Sequence, residues 1–500
     1  MKIKNGIMYE KNGWKYISVK GDPKERGYAF GYFSATDYKK AKEMMDFNIY
    51  QTTGKKWVYF IDACTKYFVP TIKDKFAELY EEMVGIAEGC TAGGTPVDVN
   101  EIIAWNNYYT LTGSWFPNSR DDDDYQEIVV VDKAGADDKC SAFIAVGDYT
   151  KDGKIVVAHN SFNSFIEGQF QNYILDLHPT QGHRFIMQTC PCWIWSGTDF
   201  FVNSKGIIGT ETTFGGFIPF ENKYTVACRI RKVMQYATTL DECNEYLLDG
   251  NSGDYANAWL FGDINTNEIM RLELGLKYHN IERTQNGCFI GFNAPYDPRI
   301  RNLECVNSGF DDIRRHQGAR RVRLSDLMEE NKGKISVDMA MKIISDHYDV
   351  YLNKENPCSR TVCSHYNLDP REYMSQSDRP KPFEPKGAVD GTATDSTLAS
   401  KMSFMARFGS SCGIPMIVND FCDKHRQWAY LKPHLRDFPK EEWTKFTSTH
   451  HHHPHSQGKS KKIKNTKTYT NTETKIVTIG GKRIKKNKTR RNKILLQLGF

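Results

Sequence analysis

The sharpest constraint on the fold is a change of pattern at Cys140. Upstream, GDPKERGYAFGYFSATDYKKAKEMMDF and YFVPTIKDKFAELYEEMVGIAEGC carry helical periodicity, after a first stretch to residue 25 whose alternation (Trp14, Tyr16, Ile17, Val19) predicts a strand pair. The polar, acidic run from Asn118 to Asp124 then reads as an exposed loop, where cleavage is tolerated. Downstream, CSAFIAV and KIVVAHN are short β-rich runs joined by the turn-forming GDYTKDG. HRFIMQT, DFFVNSKGIIGTETTF, ANAWLFGDI, EIMRLELG and GCFIGFN continue the strand-like series, with helical stretches at TVACRIRKVMQYA and SVDMAMKIISDHY. Bunched strands flanked by helices predict an α+β layered sandwich. The expected divisions are a mostly helical segment 1–139, a core 140–445, and a His-rich, Lys/Arg-rich tail 446–500 without a packed core.

The tail governs the charge. From Ser456 to Phe500 there are fourteen Lys or Arg against Glu473, a net +13. The chain totals +6, so the rest sits at −7, and global charge gives no reason to expect nucleic-acid binding by the body. The tail itself could hold an anionic partner, nucleic acid or a membrane surface, or be merely solvated.

The 13 cysteines are scattered, with no CxxC metal pairs, and neither a metal nor another cofactor is expected. Cys190/Cys192 and Cys358/Cys363 could each be disulfide halves or reduced thiols. His450 to His455 could bind divalent metal adventitiously. The N-terminus has no apolar run fit for a signal peptide, and no stretch of 18 apolar residues predicts a transmembrane helix. One glycosylation sequon, Asn487-Lys-Thr, lies in the tail.

Cys140 carries a possible chemistry of its own. Cutting the peptide bond before it would expose a thiol and a free α-amine on one residue. That amine titrates near pH 7.7–8.0 in model peptides, so it can serve as general base for its own thiol. The bland alternative is a buried, inert strand cysteine.

KCSAFIAVGDYTKDGKIVVAHNSFNSF resembles the nucleophile region of the phospholipase B-like family, in which a Cys-Ser-Ala start precedes a strand ending in His-Asn or His-Ser. GIIGTETTF, NSGDYANAW, PCSRTVCSHYNLDP and GAVDGTATDSTLASKMSFMARFGSSCGIP are similar to further segments of that family in the same order, over roughly residues 130–430. GDPKERGYAFGYF and MVGIAEGC resemble prodomain segments of the related acyltransferase-like hydrolases. The resemblance implies a four-layer αββα sandwich of the N-terminal-nucleophile (Ntn) hydrolase type. It also implies self-cleavage before Cys140, with 1–139 retained as a small subunit. The expected activity is hydrolysis of an ester or amide bond in an acylated, lipid-like substrate. Acyl transfer to an amine is the enzymatic alternative, and a binding protein acting through its basic tail is the non-catalytic one. Family relatives are lysosomal or secreted.

The same resemblance assigns the candidate residues. Cys140 is the nucleophile. His159 and Asn160 end the facing strand, where an imidazole could orient the amine or thiol; a packed strand-end histidine is the alternative. Thr212 or Thr213 could hydrogen-bond the α-amine or assist the N→S acyl shift, although threonine is an ordinary strand residue. Asn257 could donate to an oxyanion or satisfy a turn. Arg320 could hold a substrate carbonyl or carboxylate, with Arg321 an equally good alignment and a solvated helix face as the alternative. The acyltransferase-like enzymes place an Asp near the position of Phe162, which this sequence lacks. Cys90, in EGCTAGGTP, is a rival nucleophile without the strand–hairpin–strand context.

Overall fold

The computed structural model describes residues 1–119, 139–197, 200–306, 308–370 and 381–449, together with the backbone of 472–479 and 482–489. Two units result, Met1–Thr449 and His450–Phe500.

In the first unit the fold is α+β, with two large sheets among the described residues. One is ten-stranded, in the order Lys2–Ile3, Gly6–Lys11, Trp14–Gly21, Tyr173–Pro179, Phe185–Thr189, Phe201–Asn203, Ile207–Thr213, Asn257–Asp263, Glu268–Leu274, His279–Thr284. The other runs Gly287–Gly291, Cys140–Gly147, Gly153–Ser164, Asp390–Asp395, Ser403–Phe408, Thr444–Thr447, with Lys386–Ala388 paired to Gly153–Ser164. The strand pair expected near the N-terminus forms, Gly6–Lys11 against Trp14–Gly21. Trp14–Gly21 then pairs in parallel with Tyr173–Pro179, so residues before Cys140 and after it share one sheet.

Side-chain alternation explains the packing. Ala142, Ile144, Val146, Ile155 and Val157 join Ile207, Ile208, Trp259 and Phe261 of the first sheet in one buried cluster. Phe143, Ala145, Val156 and Ala158, on the opposite face of the same strands, pack with Leu324, Leu327, Ala340 and Ile343 of the helices His316–Glu330 and Val337–Ile343.

Upstream of Cys140 the dominant elements are Pro23–Thr53 and Ala77–Ala92. Pro23 opens the first helix at its N-terminal turn, and Gly54, in the left-handed region at φ 72°, closes it. Gly27 and Gly31 face Gly85 and Gly89 at four-residue spacing. A Cβ on Gly31 would lie 2.1 Å from the Ile86 carbonyl oxygen, and one on Gly89 2.1 Å from that of Tyr28, so backbone meets backbone. Buried Glu82 accepts from Arg26 Nε (2.6 Å) and from Arg231 Nη2 (2.8 Å), tying this pair to helix Val226–Tyr236. No helix among the described residues is long and apolar enough to cross a membrane.

In the second unit Thr472–Ile479 pairs with Lys482–Thr489 as an antiparallel hairpin. Of the expected loop Asn118–Asp124, Asn118 and Ser119 complete the short helix Phe116–Ser119. Residues 120–124 lie outside the described residues, as does the His tract at 450–455.

Candidate active site

Cys140 is the first residue of its strand and is 2% exposed. Its neighbours grip the chain on both sides. The Lys139 carbonyl accepts from the Phe162 N–H at 2.5 Å, extending the ladder to the facing strand. The Cys140 N–H donates to Asn293 Oδ1 at 3.4 Å, and the Cys140 carbonyl accepts from Arg320 Nη1 at 2.6 Å. The peptide bond before Cys140 thus has its oxygen and its nitrogen each engaged. Cys140 Sγ lies 3.8 Å from Glu211 Oε1, which also accepts from Tyr255 Oη at 3.2 Å.

Arg320 is fully buried. Its guanidinium also donates to Ser141 Oγ (3.0 Å), the Phe292 carbonyl (3.1 Å) and Asn293 Oδ1 (2.7 Å), and Nε donates to the His316 carbonyl (3.0 Å). The planar fork suits this divergent set of acceptors. It separates the two alternative alignments: Arg321 instead bonds the Phe310 carbonyl and Asp311, away from Cys140.

His159 pairs across the ladder with Ala142, two residues beyond Cys140. It is fully buried, with the Glu211 backbone within reach of its ring. Burial drives its pKa down to about 3, the nearby Glu211 backbone opposing this in part, so the imidazole is neutral at ordinary pH.

Asn160 is not part of this group, contrary to the expectation from sequence. Successive strand residues point to opposite faces. Its Nδ2 donates to the carbonyls of Ile344 (2.8 Å) and Val362 (3.0 Å), behind the strand.

Thr212 and Thr213 sit at the end of Ile207–Thr213, and Asn257 pairs with Thr213 on the next strand. Thr212 presses on Gly291, where a Cβ would come within 2.5 Å of its Oγ1. Both threonine hydroxyls and both amide atoms of Asn257 are buried without a hydrogen-bond partner in the protein. Each such orphan costs about 1–3 kcal/mol, and these lie on the strand that carries Glu211 and on the strand paired with it.

Three residues escaped sequence reasoning. Glu211 faces the thiol; Asn293 holds the Cys140 nitrogen and donates Nδ2 to the Thr213 carbonyl at 2.6 Å. Asp390 accepts the Ser161 N–H at 2.8 Å, directly across the ladder from Cys140, and burial raises its pKa to about 7. The one local signal is at Asn293, whose φ of 68° favours Asn or Gly.

The segment before Cys140 also reaches this region. Thr110 Oγ1 donates to Asp254 Oδ2 (2.7 Å) from a π-helical turn, Thr110–Trp115, and so helps hold the loop that carries Tyr255 and leads into strand Asn257–Asp263. Tyr109 stacks on Tyr255, and its hydroxyl accepts from Asn163 Nδ2 at 3.1 Å. The rival Cys90 lies inside helix Ala77–Ala92, its Sγ 3.2 Å from that of Cys192, with no strand to display it. The described cysteines, including Cys190/Cys192 and Cys358/Cys363, are all unbridged.

No family model matches the chain. An uncharacterized protein of Archaeoglobus fulgidus is 27% identical over 170 residues, 33% of this chain and 27% of that one. "Putative phospholipase B-like 2" of Rattus norvegicus and of Mus musculus are each 30% identical over 145 residues, 25% of this chain and 24% and 23% of theirs. The chain therefore spans about a quarter of the length of the curated relatives it matches. Over that quarter its distant similarity is to phospholipase B-like proteins.

Proposed function

We propose that the protein is an Ntn-type hydrolase of the phospholipase B-like kind, activated by scission of the Lys139–Cys140 bond and acting on an ester or amide of an acylated substrate. The observation that carries this reading is the grip on that peptide bond beside a buried thiol: Phe162 N–H on its oxygen, Asn293 on its nitrogen, and Arg320 on the next carbonyl. Two large sheets with helices packed against the second fit the expected αββα layering. The partial similarity to phospholipase B-like proteins supports the hydrolase class.

In the first reaction Cys140 Sγ adds to the Lys139 carbonyl carbon. The C–N bond breaks, the nitrogen takes up the thiol proton, and a thioester joins residues 1–139 to Sγ. Water hydrolyses that thioester, leaving a carboxylate on Lys139 and a free α-amine and thiol on Cys140. In the second reaction the amine takes the thiol proton while Sγ adds to the substrate carbonyl. The Asn257 amide, buried and unengaged, is the donor for the developing oxyanion, an interaction of the kind worth about 2.7–4 kcal/mol of barrier. The leaving alcohol or amine departs with the proton, and water delivered by the amine releases the acyl group. Arg320 orients Cys140. His159, neutral and buried, positions rather than shuttles protons. Asn160 secures the strand from behind.

Intact masses of wild type and Cys140→Ala, under denaturing conditions, test the reading. Expected are two chains meeting at Lys139/Cys140 in wild type and one uncut chain in the variant. An uncut wild type, fresh and after ageing in acid, refutes autoprocessing; cutting in both proteins assigns the scission to an external protease. The cut enzyme is then offered chromogenic acyl esters and acyl amides, with release expected from wild type alone.

A further inference from the structure

Behind the strand that faces Cys140, four donors of metal-binding type converge. His347 follows helix Val337–Ile343, Cys363 and His365 flank Ser364 in the loop beyond it, and Cys412 lies in the turn after strand Ser403–Phe408. One ligand atom from each lies within 4.8 Å of all the others. His347 Nε2 is 3.2 Å from His365 Nε2, which is 3.4 Å from Cys363 Sγ and 3.4 Å from Cys412 Sγ.

The three separations that meet at His365 are close to the edges of a tetrahedron around zinc. With Zn–N near 2.05 Å and Zn–S near 2.3 Å, tetrahedral edges come to about 3.3 Å for N–N and about 3.6 Å for N–S. The three edges that meet at His365 fall about 0.1–0.2 Å short of these, and the other three are bounded by 4.8 Å, so closing on an ion asks at most for a small inward movement of the remaining ligands. Charge fits as well. Two thiolates cancel Zn²⁺, two neutral imidazoles add none, and a neutral cluster is what a largely buried place can hold. With four protein ligands no position remains open, which is the pattern of a structural rather than a catalytic centre.

We propose that His347, Cys363, His365 and Cys412 form a structural Cys2His2 zinc site. A second observation gives it a purpose. The Asn160 amide bonds the carbonyls of Ile344 and Val362 and lies 3.3 Å from Ser411 Oγ. Val362 and Ser411 adjoin the ligands Cys363 and Cys412, and Ile344 is three residues before His347. Asn160 and the ion therefore clasp the same three stretches of chain, one from the strand and one from beyond it. The result is a rigid backing for the strand that pairs with Cys140. The site does not depend on Cys140 being a nucleophile.

The test uses the full chain, purified by ion exchange so that no affinity metal reaches the His tract. Metal analysis after dialysis against a weak chelator is expected to give one zinc per chain, retained in Cys140→Ala and lost in Cys363→Ser/Cys412→Ser. Cobalt(II) exchanged into wild type is expected to show the strong visible bands of tetrahedral cobalt and a near-ultraviolet thiolate charge-transfer band. The His tract cannot produce that band. If the double variant does not fold, the wild-type cobalt spectrum decides alone. Cobalt bound without the thiolate band overturns the proposal, as does a Cys363–Cys412 disulfide found by non-reducing peptide mapping.

Discussion

Asn293→Asp puts the proposed base under direct control. Asn293 Oδ1 is 3.4 Å from the Cys140 nitrogen and 2.7 Å from Arg320 Nη2. Aspartate keeps that acceptor, so the precursor's geometry survives and processing should proceed. It loses the donor to the Thr213 carbonyl, costing about 1–3 kcal/mol of stability. Once Cys140 is an N-terminus, the new carboxylate faces an ammonium. At 3.4 Å and an effective dielectric near 20, their attraction is about 5 kcal/mol, or about 3.6 pK units. Arg320 acts on the amine in the wild type as well and drops out of the difference; solvent exposure of the new N-terminus screens the pair, leaving an upward shift of roughly 1–3 units, the range for a neighbouring opposite charge. An amine with a raised pKa stays protonated at neutral pH and cannot take the thiol proton. Alkylation of Cys140 by iodoacetamide, followed by mass spectrometry of the new N-terminal peptide across pH 5–10, reads this out. The profile of the processed variant should move to higher pH by that amount and recover wild-type rates at its alkaline end. A normally processed variant whose profile overlays the wild type would refute the role of the α-amine.

His159 has a folded pKa near 3 against about 6.5 unfolded, so its contribution is complete above pH 6.5 and is lost as pH falls toward 3, about 2 kcal/mol of it by pH 5. In the uncut Cys140→Ala background, urea unfolding should show that slope, and His159→Gln should remove it. Arg320→Lys replaces a fork by a single ammonium and leaves several of the acceptors around Cys140 unmet. A loss of about 3–5 kcal/mol and slower scission are expected, read by thermal unfolding and by intact mass. Gly31→Ala forces apart two helices in backbone contact and should lower the melting temperature by several degrees, whereas Gly94→Ala meets no neighbouring atom and should cost less despite its positive φ.

Local pattern carried much of the fold into view. The turn GDYTKDG does join Cys140–Gly147 to Gly153–Ser164, and TVACRIRKVMQYA and SVDMAMKIISDHY contain the helices Val226–Tyr236 and Val337–Ile343. What stayed hidden depends on pairings between distant segments. Nothing near Glu211 or Asn293 in sequence says that they meet Cys140, because two different sheets bring them there. Asn160, adjacent to His159 in the motif, points to the other face because of the two-residue period of the strand. The four sulfur and imidazole donors behind that strand were invisible for the same reason: Cys363-Ser-His365 is too short a signal, and His347 and Cys412 come from elsewhere in the chain.

The parallel pairing of Trp14–Gly21 with Tyr173–Pro179 has a kinetic consequence. While the chain is continuous, that strand finds its place by a first-order search. After scission before Cys140, the same strand belongs to a separate polypeptide, and any refolding becomes a second-order encounter at whatever concentration the fragments happen to have. Leaving is equally restricted, since the fragment can depart only by opening the sheet between two of its inner strands. A cut protein would thus be long-lived but not renewable: dilution would not dissociate it, and one full unfolding would end it.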